Sequence, residues 1–508
     1  MIDTKALRQK ILDMAIKGKL VPQNPDDEPA SVLLERIRAE KQQLIKEGKI
    51  KKDKNDSIIY KGDDNRYYEN LPCGWKICGV SDITNLRTGA TFDKANVLLS
   101  SKNEGIRVLR GGNISTYKID FRVDDIFIPT AIVNPSIYVQ QYDIITPAVT
   151  SLENIGKMAR VHTKPTSNYT VGGFVYLLTP LFYNNTFSKF LLYQFTSTWF
   201  IRQLQAIAKK SGAAFYNINK TKFNELPVFI PPLAEQARIV NRVEELFTQI
   251  DAIEQNQADI DTLYDEFRKR TLTLAIQGKL VPQDSNDEPA SVLLERIRAE
   301  KKAKLGKKFV DSYIYKGDDN CYYEHIAGRA QDEQAEVPFD IPDNWAWVRW
   351  GNLSFSIQYG YNAPAKESGR IKMVRISDIH NNEVDWEHVP FCDINETDIK
   401  TYLLKENDIL FARTGGTVGK SYLVTCVPEE AIYAGYLIRT QYSAQLSAQY
   451  LKYFMESSLY WMQLKDGTIA TAQPNCNGQT LSKMILPLPP LAEQKRIVAK
   501  INEMFAIL

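Results

Sequence analysis

Gly18-Lys-Leu-Val-Pro-Gln23 recurs as Gly278-Lys-Leu-Val-Pro-Gln283, and Glu28-Pro-Ala-Ser-Val-Leu-Leu-Glu-Arg-Ile-Arg-Ala-Glu-Lys41 recurs unchanged from Glu288 to Lys301. Tyr60-Lys-Gly-Asp-Asp-Asn65 returns at Tyr315 to Asn320, and Pro231-Pro-Leu-Ala-Glu-Gln236 returns at Pro489 to Gln494. Repetition at this length is not a product of chance, so the chain is two copies of one unit of about 260 residues. Between the repeated blocks the halves match only faintly, as in Ile106-Arg-Val-Leu-Arg110 beside Ile371-Lys-Met-Val-Arg375. The design is a fixed frame interrupted by two variable modules. We divide it at 1–60 (N-terminal helical half-repeat), 61–227 (first module), 228–310 (central helical frame), 311–486 (second module) and 487–508 (C-terminal half-repeat).

The frame reads as helix. Working outward from Pro231, apolar positions advance in steps of four and three through Ile239, Val243, Leu246, Ile250, Ile253, Gln257, Ile260, Tyr264, Phe267, Thr271 and Leu274. This is a coiled-coil seam with two polar interruptions. Pro231 and Pro232 with Glu235 supply a start signal, and Gly278 followed by Pro282 a stop. At about 1.5 Å per residue, a helix from Leu233 to Gln277 is roughly 65 Å long. The chain's two ends look like halves of the same helix: Leu7, Ile11 and Met14 match Phe267, Thr271 and Leu274, while Ile497, Ile501, Met504 and Leu508 match Ile239, Val243, Leu246 and Ile250. The expected geometry is terminal helices packed antiparallel along the central one about a pseudo-two-fold axis, with each seam packing on its own module as the alternative. Judged against the central copy, the last helix stops about ten residues short of filling its gap.

A second helix follows each Gly-Lys-Leu-Val-Pro-Gln turn, with Pro29 or Pro289 in its first turn and Ala30, Leu33, Leu34, Ile37, Leu44 and Ile45 on one face of the first copy. The lysine-rich tails beyond, Lys49 to Lys54 and Lys301 to Lys308, read as solvated linkers, with phosphate contact as the alternative.

Composition narrows the class. With 508 residues, 44% of them hydrophobic and 24% charged, the chain can bury several cores and is ordinary globular protein. The N-terminus mixes acid and base from its first residues and no apolar run reaches membrane-spanning length, so a cytoplasmic location with no membrane partner is expected. Cys73, Cys78, Cys321, Cys392, Cys426 and Cys476 form no CxxC pair and the four histidines do not cluster near them, which argues against structural zinc and a disulfide framework. The net charge of +2 conceals an asymmetry. Residues 61–227 carry 19 Lys and Arg against 12 Asp and Glu, or +7, whereas 316–486 carry 15 against 22, or −7.

Each module opens on a proline-tryptophan segment, Leu71-Pro-Cys-Gly-Trp75 or Ile341-Pro-Asp-Asn-Trp345. Short β-like runs follow, such as Phe174-Val-Tyr-Leu-Leu178 and Tyr436-Leu-Ile-Arg439, with helical stretches late, near 188–208 and 447–465. The fold class is α+β: two α+β modules separated by long coiled-coil helices. Loops between the strands mix glycine with basic, amide and hydroxyl residues. These give candidate DNA contacts at Arg87, Thr88, Thr91, Lys94, Arg110, Asn113, Lys157, Lys209, Lys210 and Tyr216 in the first module. In the second they are Gln358, Tyr359, Tyr361, Asn362, Arg375, Arg413, Thr414, Lys420, Gln473 and Asn475. Arginine can grip guanine O6 and N7, Asn or Gln adenine N6 and N7, and lysines the phosphates. Most glycine-polar loops are simply turns, so the loops alone decide nothing.

Catalytic motifs are lacking. Arg413-Thr-Gly-Gly-Thr-Val-Gly-Lys-Ser421 approaches a phosphate-binding loop but has Thr414 where the first glycine belongs, and the corresponding 151–157 stretch shows no such motif. Asn134-Pro-Ser-Ile137 lacks the second proline and aromatic residue of an amino-methyltransferase motif; GxGxxG and HExxH are absent too. The acidic clusters Asp26-Asp-Glu28 and Asn286-Asp-Glu288 suit helix starts. No catalytic or metal-binding residue is assigned.

The Pro-Pro-Leu-Ala-Glu-Gln-(Ala/Lys)-Arg-Ile-Val openings at Pro231 and Pro489, each leading into a helix, resemble the conserved regions of the specificity subunit of type I restriction-modification enzymes. The resemblance covers the whole chain and includes the polar approaches Phe215-Tyr-Asn-Ile-Asn219 and Gln473-Pro-Asn-Cys-Asn477. It implies a non-catalytic subunit in which each module reads one half of a bipartite, asymmetric double-stranded DNA target and the coiled coil fixes the gap. It also implies two methyltransferase subunits that supply S-adenosylmethionine chemistry, and restriction subunits that use ATP and Mg; this chain itself holds no cofactor. The −7 module is expected to need positive surface from those partners. Two alternatives stay open: the recognition part of a self-contained modification enzyme, and a coiled-coil scaffold with no DNA role.

Overall fold

Pro231 and Pro232 have no amide hydrogen with which to extend the strand Pro227–Ile230, and the Pro232 carbonyl accepts the Gln236 amide of the helix that begins there, at 2.9 Å. In the computed structural model, which describes residues 1–50, 71–98, 105–165, 167–380, 382–467 and 476–507, that helix runs Leu233–Ile276, within one residue of the expected span. It ends where Gly278 adopts φ +68°, and Gly18 (φ +64°) closes the helix Thr4–Ile16 in the same way. A Cβ on Gly18 would collide with Pro72, and one on Gly278 with Pro342, so each turn also seats the proline that opens the adjoining module.

The chain forms two compact units, Met1–Ala258 and Asp259–Leu508. In the first, Arg8 meets Asp251 at 2.5 Å while Gln23 meets Glu235 at 2.6 Å, so the helix Thr4–Ile16 runs antiparallel to the start of the long helix. Ile11, Leu12 and Ala15 share a core with Ile239, Val243, Phe247 and Ile250, and Arg8 lies over the Phe247 ring at 4.9 Å. The second unit repeats the pairing with the helix Leu491–Ala506. Leu272, Ala275 and Ile276 pack with Ile497 and Ile501, Gln283 meets Glu493 at 2.6 Å, and Arg268 lies over Phe505 at 4.3 Å.

The seam is shorter than its periodicity suggests. Ile239, Val243, Ile250, Ile11, Ile497, Ile501 and Thr271 are buried, and Leu246, Ile253, Gln257, Leu7, Leu274 and Met504 are half-buried. Ile260, Tyr264 and Phe267 are 45%, 40% and 37% exposed, and Met14 37%. The reason is reach: within its own unit, the helix Leu491–Ala506 ends level with Arg268, so among the described residues of that unit those before Arg268 have no partner helix alongside. Leu508 lies outside the described residues.

The second helices, Ala30–Lys46 and Ala290–Leu305, bury Ala30, Leu33, Ile37 and their copies Ala290, Leu293, Ile297. The reading of Lys301 to Lys308 as a solvated linker fits Lys302, Lys307 and Lys308, which are exposed, and is corrected for Lys301 and Lys304. The segment is helical to Leu305, Lys301 Nζ donates to the Gly351 carbonyl at 2.5 Å, and Lys304 lies 3.7 Å from the Phe355 ring centroid. Their alkyl stems lie along the module while their charged ends find partners. Most of the first tail, Lys51 to Lys54, lies outside the described residues.

Each module is built on the same sheets. A four-stranded antiparallel sheet runs in the order Thr84–Thr88, Val175–Pro180, Ile144–Pro147, Ala159–Arg160 in one and Ser354–Tyr359, Leu437–Tyr442, Ile409–Ala412, Ser421–Leu423 in the other. In a three-stranded mixed sheet the central strand Gly105–Leu109 pairs parallel with Tyr169–Val171 and antiparallel with Ile126–Pro129; in its counterpart the central strand Ile371–Val374 pairs parallel with Ala431–Tyr433 and antiparallel with Phe391–Cys392. The faint match of 106–110 with 371–375 thus marks equivalent strands. The helical stretches appear as Asn185–Phe195 with Thr198–Ile207 and Ala448–Phe454 with Ser458–Gly467. Each module closes on a two-stranded pair, Lys76–Gly79 with Pro227–Ile230 and Ala346–Arg349 with Ile485–Leu488, which places its two ends side by side at the frame.

One buried carboxylate fastens each closure. Glu235 accepts the Trp75 indole N–H at 2.9 Å and the Gln23 amide at 2.6 Å; Glu493 accepts Trp345 and Gln283 at the same distances. Burial pushes both carboxyls above their ordinary range, and the two donors pull them back. Glu235→Ala strands the buried Trp75 N–H and should cost roughly 2–3 kcal/mol, and Glu493→Ala the same; urea unfolding midpoints measure this, and an unchanged midpoint would refute it.

Candidate nucleic-acid interface

Four segments meet at one edge of the first module. The chain leaving the strand Thr84–Thr88 is held by Ala90 N to Val171 O at 2.7 Å, Ala148 N donates to Phe174 O at 2.8 Å, and Ile218 N donates to Ala148 O at 2.9 Å. The second module repeats the set with Tyr361 N to Tyr433 O at 2.8 Å, Arg413 N to Tyr436 O at 3.1 Å, and Cys476 N to Arg413 O at 2.9 Å. Gly89 and Gly360 permit the closest approach, since a Cβ on either would strike a backbone carbonyl of the neighbouring strand's end. Backbone bonds make almost no demand on side chains, so two diverged sequences build one platform.

The side chains set on the two platforms differ. In the first, Lys209 and Lys210 are exposed on the strand Ala208–Ser211, with Tyr216 opposite Lys210 in the paired strand Phe215–Ile218. Thr88 and Thr91 are exposed on either side of Gly89. In the second, Arg413 stands 4.8 Å over the Tyr359 ring, whose hydroxyl accepts the Gly478 amide at 3.1 Å. The Arg413 Nε is buried and has no hydrogen-bond partner among the described residues. Thr414 follows it, and Asn362 is exposed across the glycine turn at Gly435.

Other candidates border this region. Arg110 reaches it because Gly111 packs on Pro147, yet its guanidinium donates to Asp124 O at 3.1 Å. Lys420 is exposed one ladder position from Ala412, and Lys157, half-buried, lends its carbonyl to the Thr146 hydroxyl. Lys94 is exposed on the short 3-10 turn Lys94–Asn96, with no hydrogen bond to the platform among the described residues. Gln473 and Asn475 lie outside the described residues.

Five candidates serve the fold instead. Asn113 is fully buried: it accepts the Arg110 amide at 2.8 Å and donates to Asp120 O and Asp125 Oδ1, so it closes a turn. Arg375 marks the equivalent turn and is held by Asp378 at 2.7 Å. Arg87 is mostly buried and donates to Ser136 O and Thr179 Oγ1, which in turn donates to Asp143 at 2.5 Å. Gln358 accepts Arg439 at 2.7 Å within a buried group that includes Asp408, and Tyr361 packs edge-on against Tyr402. Turn chemistry and internal salt-bridge chemistry use the same residue types as base recognition, which is why the sequence could not separate them. The Arg413–Ser421 loop joins two antiparallel strands, not a strand to a helix, so it forms no helix-terminal phosphate cradle.

Phe174 and Tyr436 were not among the candidates. The signal was present, since each opens a β-like run directly after a glycine.

Residues 72–262 and 359–507 match the family described as the Type I restriction modification DNA specificity domain. The Type I restriction enzyme EcoAI specificity subunit of Escherichia coli is 28% identical over 560 aligned residues, covering 98% of this chain and 88% of that protein. The EcoKI specificity subunit of Escherichia coli (strain K12) is 24% identical, covering 86% of this chain and 83% of that one. A solved structure titled for complex assembly and conformational transition of the type I R-M system aligns with TM-score 0.53 at 16% identity, over 86% of this chain and 91% of its own.

Two outcomes separate surface from core. The double variant Lys209→Ala/Lys210→Ala should lower DNA affinity, reduce the slope of log K against log salt by about 2 and leave the melting temperature in place, whereas Arg87→Ala should lower the melting temperature. The internal group also titrates: burial lifts Asp143 from 3.8 to about 6, against the Thr179 hydrogen bond and the Arg87 charge. Its folded value lies above its unfolded one, so its stabilisation is complete below about pH 4 and is lost as pH rises through about 6. Asp143→Asn should flatten the melting-temperature profile across that window; an unchanged profile would assign the slope elsewhere.

Proposed function

The chain belongs to the type I restriction modification DNA specificity-domain family, and on that premise we propose that its two modules each read one half of a split, asymmetric DNA target. It is a specificity subunit of a type I restriction-modification system and has no catalytic role of its own. The observation that carries the proposal is the platform built twice from the same backbone bonds and furnished differently, with Lys209, Lys210 and Tyr216 on one and Arg413, Tyr359 and Asn362 on the other. One scaffold with two sets of side chains is what recognition of two unlike half-sites requires. Phosphate contacts from the lysines fix position, and Arg413 and Asn362 supply the donors and acceptors that distinguish bases.

The proposal keeps 61–227 and 311–486 as the two readers and the helical segments 1–60, 228–310 and 487–508 as the frame. Two methyltransferase subunits dock on the frame and hold S-adenosylmethionine, restriction subunits join them and hold ATP with magnesium, and the complex works in the cytoplasm. Support for a frame role is the single continuous helix Leu233–Ile276. The second module, at −7 over 316–486, relies on those partners for much of the positive surface that DNA needs. Among the described residues no helix is long and apolar enough to cross a membrane, and no group of three or more His, Cys, Asp or Glu is arranged to hold a metal ion.

The test is a module exchange. The full chain co-expressed with its methyltransferase partner should direct methylation to one split sequence. Replacing 61–227 by the corresponding module of another specificity subunit should change one half of that sequence and leave the other. Methylation at an unchanged sequence, read by sequencing methylated adenines in the host genome, would sink the proposal.

A further inference from the structure

Phe174 is 74% exposed and Tyr436 63% exposed, although the two modules bury most of their large apolar side chains. Solitary exposed aromatics are common and need no explanation. These two stand at one structural position. Each follows a glycine at the tip of the turn that joins the parallel strand of the mixed sheet to the second strand of the antiparallel sheet. The same bonds fix both turns: Val175 N to Gly172 O and Leu437 N to Ala434 O, both at 2.9 Å, Gly172 N to Leu109 O at 2.8 Å and Ala434 N to Val374 O at 2.9 Å. The carbonyls of Phe174 and Tyr436 themselves accept the Ala148 and Arg413 amides, as described above. The backbone is therefore held and the ring is presented outward.

Position supplies the second argument. Within the first platform, Phe174 is two backbone hydrogen bonds from Ile218, at the end of the hairpin that carries Lys209, Lys210 and Tyr216. Tyr436 is one such bond from Arg413, whose guanidinium lies over the Tyr359 ring. A ring presented outward from a fixed backbone, next to groups that suit phosphate and base edges, has the chemistry of a base contact: in a groove it can pack on base edges and on the thymine methyl group, and wedged into a base step it can pack on a base face. Backbone neutralisation would call for charge at these positions; sheet packing would have buried the ring.

We propose that Phe174 and Tyr436 are base-contacting residues, one for each half-site, each packing its ring on the bases inside the groove. This rests on the reading of the modules as DNA readers. It makes the ring, and not the tyrosine hydroxyl, the acting group, because only the ring is common to both positions.

The test uses the full chain assembled with its methyltransferase partner and duplexes carrying its own target. Phe174→Ala and Tyr436→Ala should each weaken binding roughly ten- to a hundredfold, leave the salt slope unchanged and leave the melting temperature in place. Phe174→Tyr and Tyr436→Phe should retain wild-type affinity. Deoxyuridine in place of thymidine separates the two modes: if it reproduces the alanine loss, the ring meets a thymine methyl; if it has no effect, the ring packs on a base face. Wild-type affinity in both alanine variants, or an equal loss on a duplex whose half-sites are scrambled, would overturn the inference alone. Failure of the wild-type complex to prefer its target over scrambled duplex would overturn the underlying reading as well.

Discussion

The structure depends on a carboxylate removed from water at the point where three distant stretches of sequence meet. Glu235 lies at the start of a long helix, Gln23 after the turn that ends another, and Trp75 at the opening of a module, and one side chain accepts from both of the others. Burying a carboxylate costs free energy unless its oxygens are occupied. Two donors arriving from separate segments satisfy that condition. Glu493 with Gln283 and Trp345 repeats it. The flanking pairs Arg238–Asp27 at 2.5 Å and Arg496–Asp287 at 2.6 Å hold the same loops from outside. Because the module's first and last strands are paired directly beside this carboxylate, its contents can vary while its attachment does not.

That division of labour explains how divergence is tolerated. The frame is specified by side chains, whose volumes and donors must match. The platform is specified by backbone bonds, which accept any residue that can adopt the conformation. Glycine is demanded where the Thr84–Thr88 and Ser354–Tyr359 strands leave their sheets, since a Cβ there would meet a carbonyl. Elsewhere Ala148 and Arg413 occupy one position with no change in their backbone partners. A reader built this way can change its surface chemistry, even to the extent of +7 against −7, without altering the sheets beneath.

Internal electrostatics consume some of the charge that a sequence presents as available. Arg87 is committed to Thr179, Asp143 and a carbonyl, Arg375 to Asp378, and Arg439 to Asp408 and Gln358. Arginines committed in this way tie the loops around them together, because several of their donors bond to groups from separate segments. Lys301 does the same at Gly351. Arg413 differs in its neighbours: it stacks on Tyr359, and among the described residues its Nε, like those of Arg87 and Arg439, has no hydrogen-bond partner.

The sequence by itself determined the duplication, the long helix to within a residue, the α+β class of the modules and the family, because repeats, proline starts, glycine stops and apolar periodicity are local and additive. It placed Lys209, Lys210, Tyr216, Tyr359 and Arg413 among the candidates but could not tell them from Asn113, Arg87 or Gln358, which have the same chemistry and point inward. It continued the seam through Ile260 and Tyr264, since a heptad pattern records which face is apolar and not where the partner helix ends. Only the tertiary structure decided which polar groups were already satisfied and which rings were left outside. Satisfaction and exposure depend on segments far apart in the chain, such as Ala148 meeting Phe174 and Arg413 meeting Tyr436, and no local pattern encodes those meetings.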